Sequence, residues 1–155
     1  MTDEPRDQIE TRRARPDDQA EITAMVRRAR LNPRNLDWSG FRVAERHGTI
    51  VGLGQVRVYG DGARELASLV VQRSVRGQGV ATAIIDALLA DDRGVMYTLI
   101  DRRFTQHFQR WGFHVVDPSE LPPSVMRTYR IGRVVTGLAS ALTRRRVRIV
   151  ALKRP

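Results

Sequence analysis

The segment Val70–Ala90, VVQRSVRGQGVATAIIDALLA, constrains the fold more than any other part of the sequence. An apolar run leads into a short basic loop with glycines at positions 77 and 79, and the loop opens into small and apolar residues at helical spacing. This order predicts a buried strand, a glycine loop and a helix over about 80–90. Because a helix N-terminus exposes unpaired backbone N–H groups, the junction predicts a site for an anion.

The remaining pattern predicts a mixed, mostly antiparallel sheet of about seven strands flanked by helices, in the α/β (α+β) class. Hairpins precede the glycine loop and crossovers follow it. The strands are expected at 9–15, 41–46, 50–59, 65–71, 95–101, 113–117 and 145–154, and the helices at 16–31, 80–90, 102–112 and 122–143.

The length of 155 residues suggests a single domain over 1–155 that buries its own core. Residues 1–8 are expected to be flexible, and 122–143 form an additional helical segment before the last strand. The sequence contains no cysteine, which excludes thiolate nucleophiles, disulfides and cysteine-based metal centres. No metal site is expected.

The formal net charge is +10, and Lys153 is the only lysine among the basic residues. Two explanations stay open: arginine-rich coding, or an anionic partner such as a phosphate-bearing cofactor or an acidic substrate. Arginine binds phosphate and carboxylate with a planar, two-pronged geometry that lysine lacks.

No targeting segment is recognisable, so a cytoplasmic protein is expected. The charged N-terminus lacks an apolar centre, and no apolar run approaches membrane-spanning length. The basic stretch LTRRRVRIVALKR alternates like a strand and lacks aromatic stacking platforms, so no nucleic-acid partner is expected. No membrane partner is expected either.

The stretch LVVQRSVRGQGVATAII resembles the acetyl-CoA motif of the GNAT superfamily of acyl-CoA-dependent N-acyltransferases. The family pattern, Arg or Gln, two residues, Gly, one residue, then Gly or Ala, is matched by Arg76, Gly79 and Ala81. The run FQRWGF over 108–113 resembles the family's second signature, an aromatic residue four positions before Gly-Phe.

This resemblance implies acetyl-CoA as the co-substrate, with its pyrophosphate on the backbone amides of the loop and its pantetheine arm paired with the end of the preceding strand. It also implies that a backbone N–H near Val71 polarises the acetyl carbonyl, and that this strand and the next one splay apart around the acetyl group. The residues assigned to the cofactor are Leu69, Val70, Val71, Arg76, Gly77, Gln78, Gly79, Val80, Ala81, Thr82 and Phe108.

Glu65 is the candidate general base. It lies six residues before Val71, on the same face by strand alternation, and it matches a position where several members of the family carry a glutamate that acts through water. The alternative is a solvated glutamate at the start of a strand.

Phe108 departs from the family pattern, because many members carry at this position a tyrosine that protonates the leaving thiolate. Either the thiolate leaves without an acid, or His107, Tyr97 or Tyr129 supplies the proton.

The expected reaction moves an acetyl group to a primary amine, with a small amine substrate as the partner. The run GFHVVDPSELPPSV is similar to amino-acid N-acetyltransferases of the glutamate-acetylating type, which suggests an amino acid, and ordinary loop structure is the alternative. An acyl-CoA-binding sensor without catalysis, an acetyltransferase of protein or peptide amines, and a homodimer stay open. Candidate arginines for substrate carboxylates are Arg42, Arg57, Arg102 and Arg103.

Overall fold

A computed structural model describes residues 8–143 and 146–155; the predicted flexible segment therefore lies, apart from residue 8, outside the described residues. The strands are β1 Glu10–Arg13, β2 Phe41–Arg46, β3 Thr49–Val58, β4 Arg64–Val71, β5 Met96–Asp101, β6 His114–Val115 and β7 Ile149–Arg154. The α-helices are α1 Gln19–Arg28, α2 Val80–Ala90, α3 Thr105–Phe108 and α4 Pro123–Thr143.

The strands form one sheet in the order β1-β2-β3-β4-β5-β7-β6. β1 and β2 pair antiparallel, as do β2 and β3, β5 and β7, and β6 and β7. β4 and β5 run parallel, with Glu65 opposite Tyr97 and Leu66 opposite Thr98. The predicted fold class, a mixed and mostly antiparallel sheet of seven strands flanked by helices, is confirmed.

The described chain divides into two compact units, so the prediction of a single domain stays a prediction. The first unit contains the described residues up to Val56 together with Ala67–Arg93. Its helix α1 follows the turn at Pro16 and buries Ile22, Met25 and Val26, which recur at helical spacing. These residues pack with Ala14, Phe41, Val43, Ile50 and Leu53 in one hydrophobic cluster.

The second unit contains Arg57–Leu66 together with the described residues from Gly94 onward. Helix α4 is fixed at its start by Asp61, whose carboxylate accepts hydrogen bonds from the backbone N–H and the hydroxyl of Ser124 at 3.1 and 2.9 Å. An acidic side chain satisfies first-turn amides and complements the helix dipole. The core of this unit consists of Tyr97, Val116, Leu121, Val125, Tyr129 and Ala151.

The boundaries of the later elements differ from the expected ones. The region 102–112 contains α3 between two 3-10 turns rather than one continuous helix, and it ends at Gly112 with φ of 82°. β6 is shorter than predicted; the amide of Val116 still bonds to the carbonyl of Ala151 at 3.0 Å, and Pro118 soon begins another 3-10 turn. None of the helices within 8–143 has the length and apolarity needed to cross a membrane.

Candidate functional site

The glycine loop of the first unit joins the end of β4 to α2. After a 3-10 turn at Arg73–Val75, the backbone passes through two left-handed positions, with φ of 77° at Gly77 and 79° at Gly79. A side chain is strained at such angles, and a Cβ added to either glycine would meet nothing within 4 Å. The glycines are therefore required by the backbone path, and open space remains beside it.

Helix α2 begins at Val80, one of the boundaries that the sequence predicted, and Gly79 occupies its N-cap without a side chain that could accept from the first-turn amides. The first turn contains no acidic residue. The amides of Val80, Ala81 and Thr82 precede the first hydrogen bond within the helix, which Ala83 donates to the carbonyl of Gly79 at 3.0 Å. This end of the helix carries positive partial charge and suits an anion.

Two arginines hold fixed positions at the loop. The Nε of Arg76 donates to the carbonyl of Val71 at 3.1 Å, which directs that side chain back toward the end of β4. The Nη2 of Arg46, at the end of β2, donates to Oε1 of Gln78 at 2.7 Å. The sequence gives no indication of this contact, because Arg46 lies 32 residues before Gln78 and belongs to no motif.

Close packing of α2 on β3 fixes the direction of the helix. A Cβ on Gly52 would approach Cγ1 of Val80 to 2.9 Å, which is closer than real contacts allow, and Cδ1 of Ile84 to 3.0 Å, which is tight. A Cβ on Gly54 would meet Ile84 and Leu69 at 3.1 and 3.3 Å. The glycines of GLGQ thus let the first turns of the helix lie directly against the strand.

The backbone of β4 contains a left-handed residue that the sequence did not reveal. Ser68 has φ of 55° in the middle of the strand. Such a residue is typical of a β-bulge and interrupts the two-residue alternation of side chains. The same-face relation of Glu65 and Val71, which the sequence analysis based on regular alternation, therefore does not follow from their spacing.

Glu65 belongs to a buried polar cluster in the second unit. Its side chain lies within the protein at 4% exposure and accepts a hydrogen bond from the hydroxyl of Tyr59. The guanidinium of Arg57, itself 5% exposed, approaches the same carboxylate oxygen at 3.6 Å and the Tyr59 hydroxyl at 3.5 Å. Glu65 is therefore not the solvated glutamate that the alternative interpretation expected.

Helix α4 completes this cluster, because Oγ1 of Thr128 lies 3.1 Å from the Tyr59 hydroxyl. Burial raises the pKa of Glu65 above its ordinary value, while the hydrogen bond from Tyr59 and the charge of Arg57 act to lower it. Burial also raises the pKa of Tyr59, which stays a neutral donor at physiological pH. Tyr97 faces Glu65 across the parallel pair of β4 and β5.

Phe108 lies in an aromatic cluster of the second unit. It is buried, and its ring packs edge-to-face on Trp111 and Phe113 with centroid distances of 5.6 and 5.7 Å. His107 is exposed beside it and contacts Trp111 at 5.2 Å. Phe108 thus has a packing role that the sequence analysis did not assign, and its contact with the cofactor stays a prediction.

Three of the four candidate carboxylate-binding arginines have acidic partners in the protein. Arg42 pairs with Asp91, Arg57 with Glu65, and Arg103 with Asp101. The backbone amide of the fourth, Arg102, donates to the carbonyl of Arg148 at 2.8 Å. Their roles toward a substrate stay predictions.

The chain belongs to the GNAT acetyltransferase domain family, whose model matches residues 37–115. The matched region contains β2, β3, β4, the glycine loop and α2. The resemblance noted in the sequence is confirmed.

Solved structures show the same fold. N-acetylglutamate synthase from Neisseria gonorrhoeae, complexed with coenzyme A and N-acetyl-glutamate, superimposes with a TM-score of 0.70 at 19% identity over 95% of this chain and 35% of that chain. This chain therefore spans about a third of that synthase. Rv2747 from Mycobacterium tuberculosis, in complex with CoA and NLQ, gives a TM-score of 0.68 at 24% identity, over 94% of this chain and 98% of that one.

Diaminobutyrate acetyltransferase EctA from Paenibacillus lautus, in complex with L-2,4-diaminobutyric acid and coenzyme A, gives a TM-score of 0.57 at 18% identity. The match covers 75% of this chain and 87% of that one. At these identities the three structures establish the fold of this chain, and each contains coenzyme A.

Proposed function

We propose that this protein is an N-acetyltransferase that moves an acetyl group from acetyl-CoA directly to the primary amine of a small amino acid. The observation that carries the proposal is the glycine loop at the N-terminus of α2, where Gly77 and Gly79 adopt left-handed angles and leave open space above uncapped amides. Membership of the GNAT family supports acetyl-CoA as the ligand of this loop.

In the proposed complex the amides of Val80, Ala81 and Thr82 bind the CoA pyrophosphate, together with the loop residues Arg76 to Gly79. The end of β4 at Leu69–Val71 pairs with the pantetheine arm as an added strand does. The N–H of Val71 donates to the acetyl carbonyl and stabilises the oxyanion that develops there.

The reaction needs a neutral amine. The amine nitrogen forms a bond to the thioester carbonyl carbon, the C–S bond breaks, CoA leaves as the thiolate, and the proton that the nitrogen loses as the amide forms passes to water. We assign the removal of the ammonium proton to Glu65, directly or through water. Support comes from its burial, which raises the pKa of the carboxylate above its ordinary value and so toward the working pH of a general base.

Phe108 has no proton to give to the leaving thiolate. Free thiols have a pKa of about 8.5, so a thiolate is a fairly good leaving group near neutral pH. The proposed mechanism therefore has no required acid, and Phe108 acts through packing.

An amino-acid acceptor is supported by two proteins of the same fold, N-acetylglutamate synthase with N-acetyl-glutamate and EctA with L-2,4-diaminobutyric acid, and by the run GF…V…ELP in this sequence. A thiol-release assay with acetyl-CoA over amino acids, polyamines, aminoglycosides and peptides tests this substrate class. We expect turnover with an amino acid, whereas turnover restricted to peptides or proteins would move the acceptor to a macromolecule.

A second candidate function is a GNAT-fold sensor that binds acyl-CoA without catalysis, and the observation that favours it is phenylalanine at position 108. Calorimetry with acetyl-CoA separates the two functions. Binding without thiol release for any amine in the panel supports the sensor, and absence of binding overturns both.

A further inference from the structure

Helix α4 carries two apolar faces, and only one of them is packed in its unit. On the inner side Val125 and Tyr129 are buried, and a Cβ on Gly132 would lie 3.2 Å from Cδ1 of Ile149. Leu138 follows Tyr129 by nine residues, which is about 2.5 helical turns, so it lies on the opposite side of the helix. The sequence pattern alone does not tell which of these faces is packed, because both are apolar.

The outer face consists of five aliphatic residues that are exposed by 47–85%. They follow one another at the spacing of three or four residues that brings side chains to one side of a helix. This outer face is formed by Ile131, Val134, Val135, Leu138 and Leu142.

Charged residues flank the outer face and are absent from its centre, as at the polar rim and apolar core of a protein interface. Residues 134–143, VVTGLASALT, contain no charged side chain, so covering them desolvates no ion. Arg127, Arg130 and Arg133 precede this segment and Arg146 follows it. A cleft of about 630 Å³ on one flank of the outer face is lined by Met126, Arg130, Arg133 and Val134.

We propose that the outer face of α4 binds the same face of a second copy of this chain, in an antiparallel helix pair around a two-fold axis. The five side chains together expose roughly the area of three fully accessible aliphatic residues, on the order of 500 Å² in each copy. Two such faces together bury about 1,000 Å², the area that a biological interface needs to reach. The area therefore supports a reversible dimer of moderate affinity.

The antiparallel arrangement follows from the helix dipoles, because it places the positive end of one helix beside the negative end of the other. The spacing then sets the register: Ile131 faces Leu142 of the partner, and Val135 faces the partner's Leu138. Because the rim contains arginines and no acidic residue follows Glu120, the two copies repel at their rims. Salt screens this repulsion and strengthens the pair.

Sedimentation equilibrium of the full chain at low and high ionic strength tests the proposal. We expect a concentration-dependent dimer that tightens with salt, and a dissociation constant about a hundredfold higher for Leu138→Glu, which buries a charge at the centre of the pair. Val115→Glu is the control, since Val115 is similarly exposed at 52% but lies on β6. Circular dichroism verifies the fold of both variants.

Disulfide trapping tests the register, because the chain has no cysteine of its own. We expect a mixture of Ile131→Cys and Leu142→Cys proteins to form the mixed disulfide in preference to either homodimer. A monomer at all concentrations, or equal dimerisation of Leu138→Glu, would overturn the proposal. The proposal would also be overturned if the monomer bound phosphatidylglycerol vesicles or an acidic protein and this binding weakened with salt. Such binding would assign the outer face to an anionic partner.

Discussion

The glycine loop and the cluster around Glu65 differ in whether the protein compensates their charge. At the loop the positive charge faces open space, because Gly79 offers no side chain to the amides of α2 and the first turn has no acidic residue. In the cluster the negative charge is enclosed, and Tyr59 and Arg57 compensate it within the protein. The loop therefore suits an anion from outside, whereas the cluster holds a carboxylate that the protein itself compensates.

Because one region is exposed and the other is buried, removal of a single contact should have effects of different size in the two regions. An exposed anion site is screened by salt, and each contact contributes little. A buried carboxylate is shielded less, so removal of one partner has a larger effect. Four substitutions sharpen or break this comparison, from the strongest expected effect to the weakest.

Glu65→Gln removes the proposed base while keeping the shape of the side chain. We expect the acetylation rate near neutral pH to fall about a hundredfold or more, because general bases contribute about 10²–10⁴. The loss shrinks as pH rises, since the amine then deprotonates without help. Initial rates of thiol release as a function of pH measure this.

Glu65→Asp serves as the companion variant, since it keeps the carboxylate and should retain part of the rate. Circular dichroism confirms that the fold survives the loss of the partner of Arg57. A Glu65→Gln enzyme with the rate of the original protein at every pH would show that the cluster has no part in catalysis.

Gly79→Val tests the loop. The residue has φ of 79°, so a β-branched side chain costs about 1–2 kcal/mol of strain and also fills the space beside the first-turn amides. We expect CoA affinity to fall at least about tenfold in calorimetry. Gly62→Val is the matched control, because Gly62 has φ of 82° in equally open space at a hairpin turn. Equal CoA affinities for the two variants would show that the loop does not bind CoA.

The loop was predictable from the sequence because all of its information is local. Glycine spacing, the apolar run before it and the helical pattern after it identified α2 at Val80–Ala90. The cluster was not, because its geometry depends on distant parts of the chain: Tyr59 and Thr128 are 69 residues apart. The left-handed angle at Ser68 was hidden as well, since ELASLVV has the composition of a regular strand.

Tyr59→Phe removes the hydrogen bond to Glu65 and keeps the ring. That bond stabilises the carboxylate and lowers its pKa, so its loss raises the pKa of Glu65 further. The acid limb of the pH profile of kcat/KM should therefore move to higher pH, with little change on the alkaline side. Arg57, the charged partner of Glu65, remains in place.

Thr128→Val is the control for Tyr59→Phe, because it removes a second contact of the Tyr59 hydroxyl and leaves the donation to Glu65. We expect an acid limb close to that of the original enzyme. Identical profiles for Tyr59→Phe and the original enzyme would mean that Tyr59 supports packing alone.

Arg76→Ala should have the smallest effect of the four. Arg76 is exposed, and its Nε already donates to the carbonyl of Val71, so only part of its donor capacity is available to a phosphate. A charge-assisted contact in such an environment contributes about 0.5–1.5 kcal/mol, which corresponds to a loss of about two- to tenfold in CoA affinity. Because the contact is electrostatic and screened, the difference between Arg76→Ala and the original protein should narrow as salt increases. Arg73→Ala is the control. Arg73 is an exposed arginine before the same loop that has no role in the proposed CoA site, so its replacement measures the effect of net charge alone. If Arg76→Ala weakened CoA binding by more than a hundredfold at high salt, the phosphate site would be as enclosed as the cluster around Glu65, and the contrast between the two regions would fail.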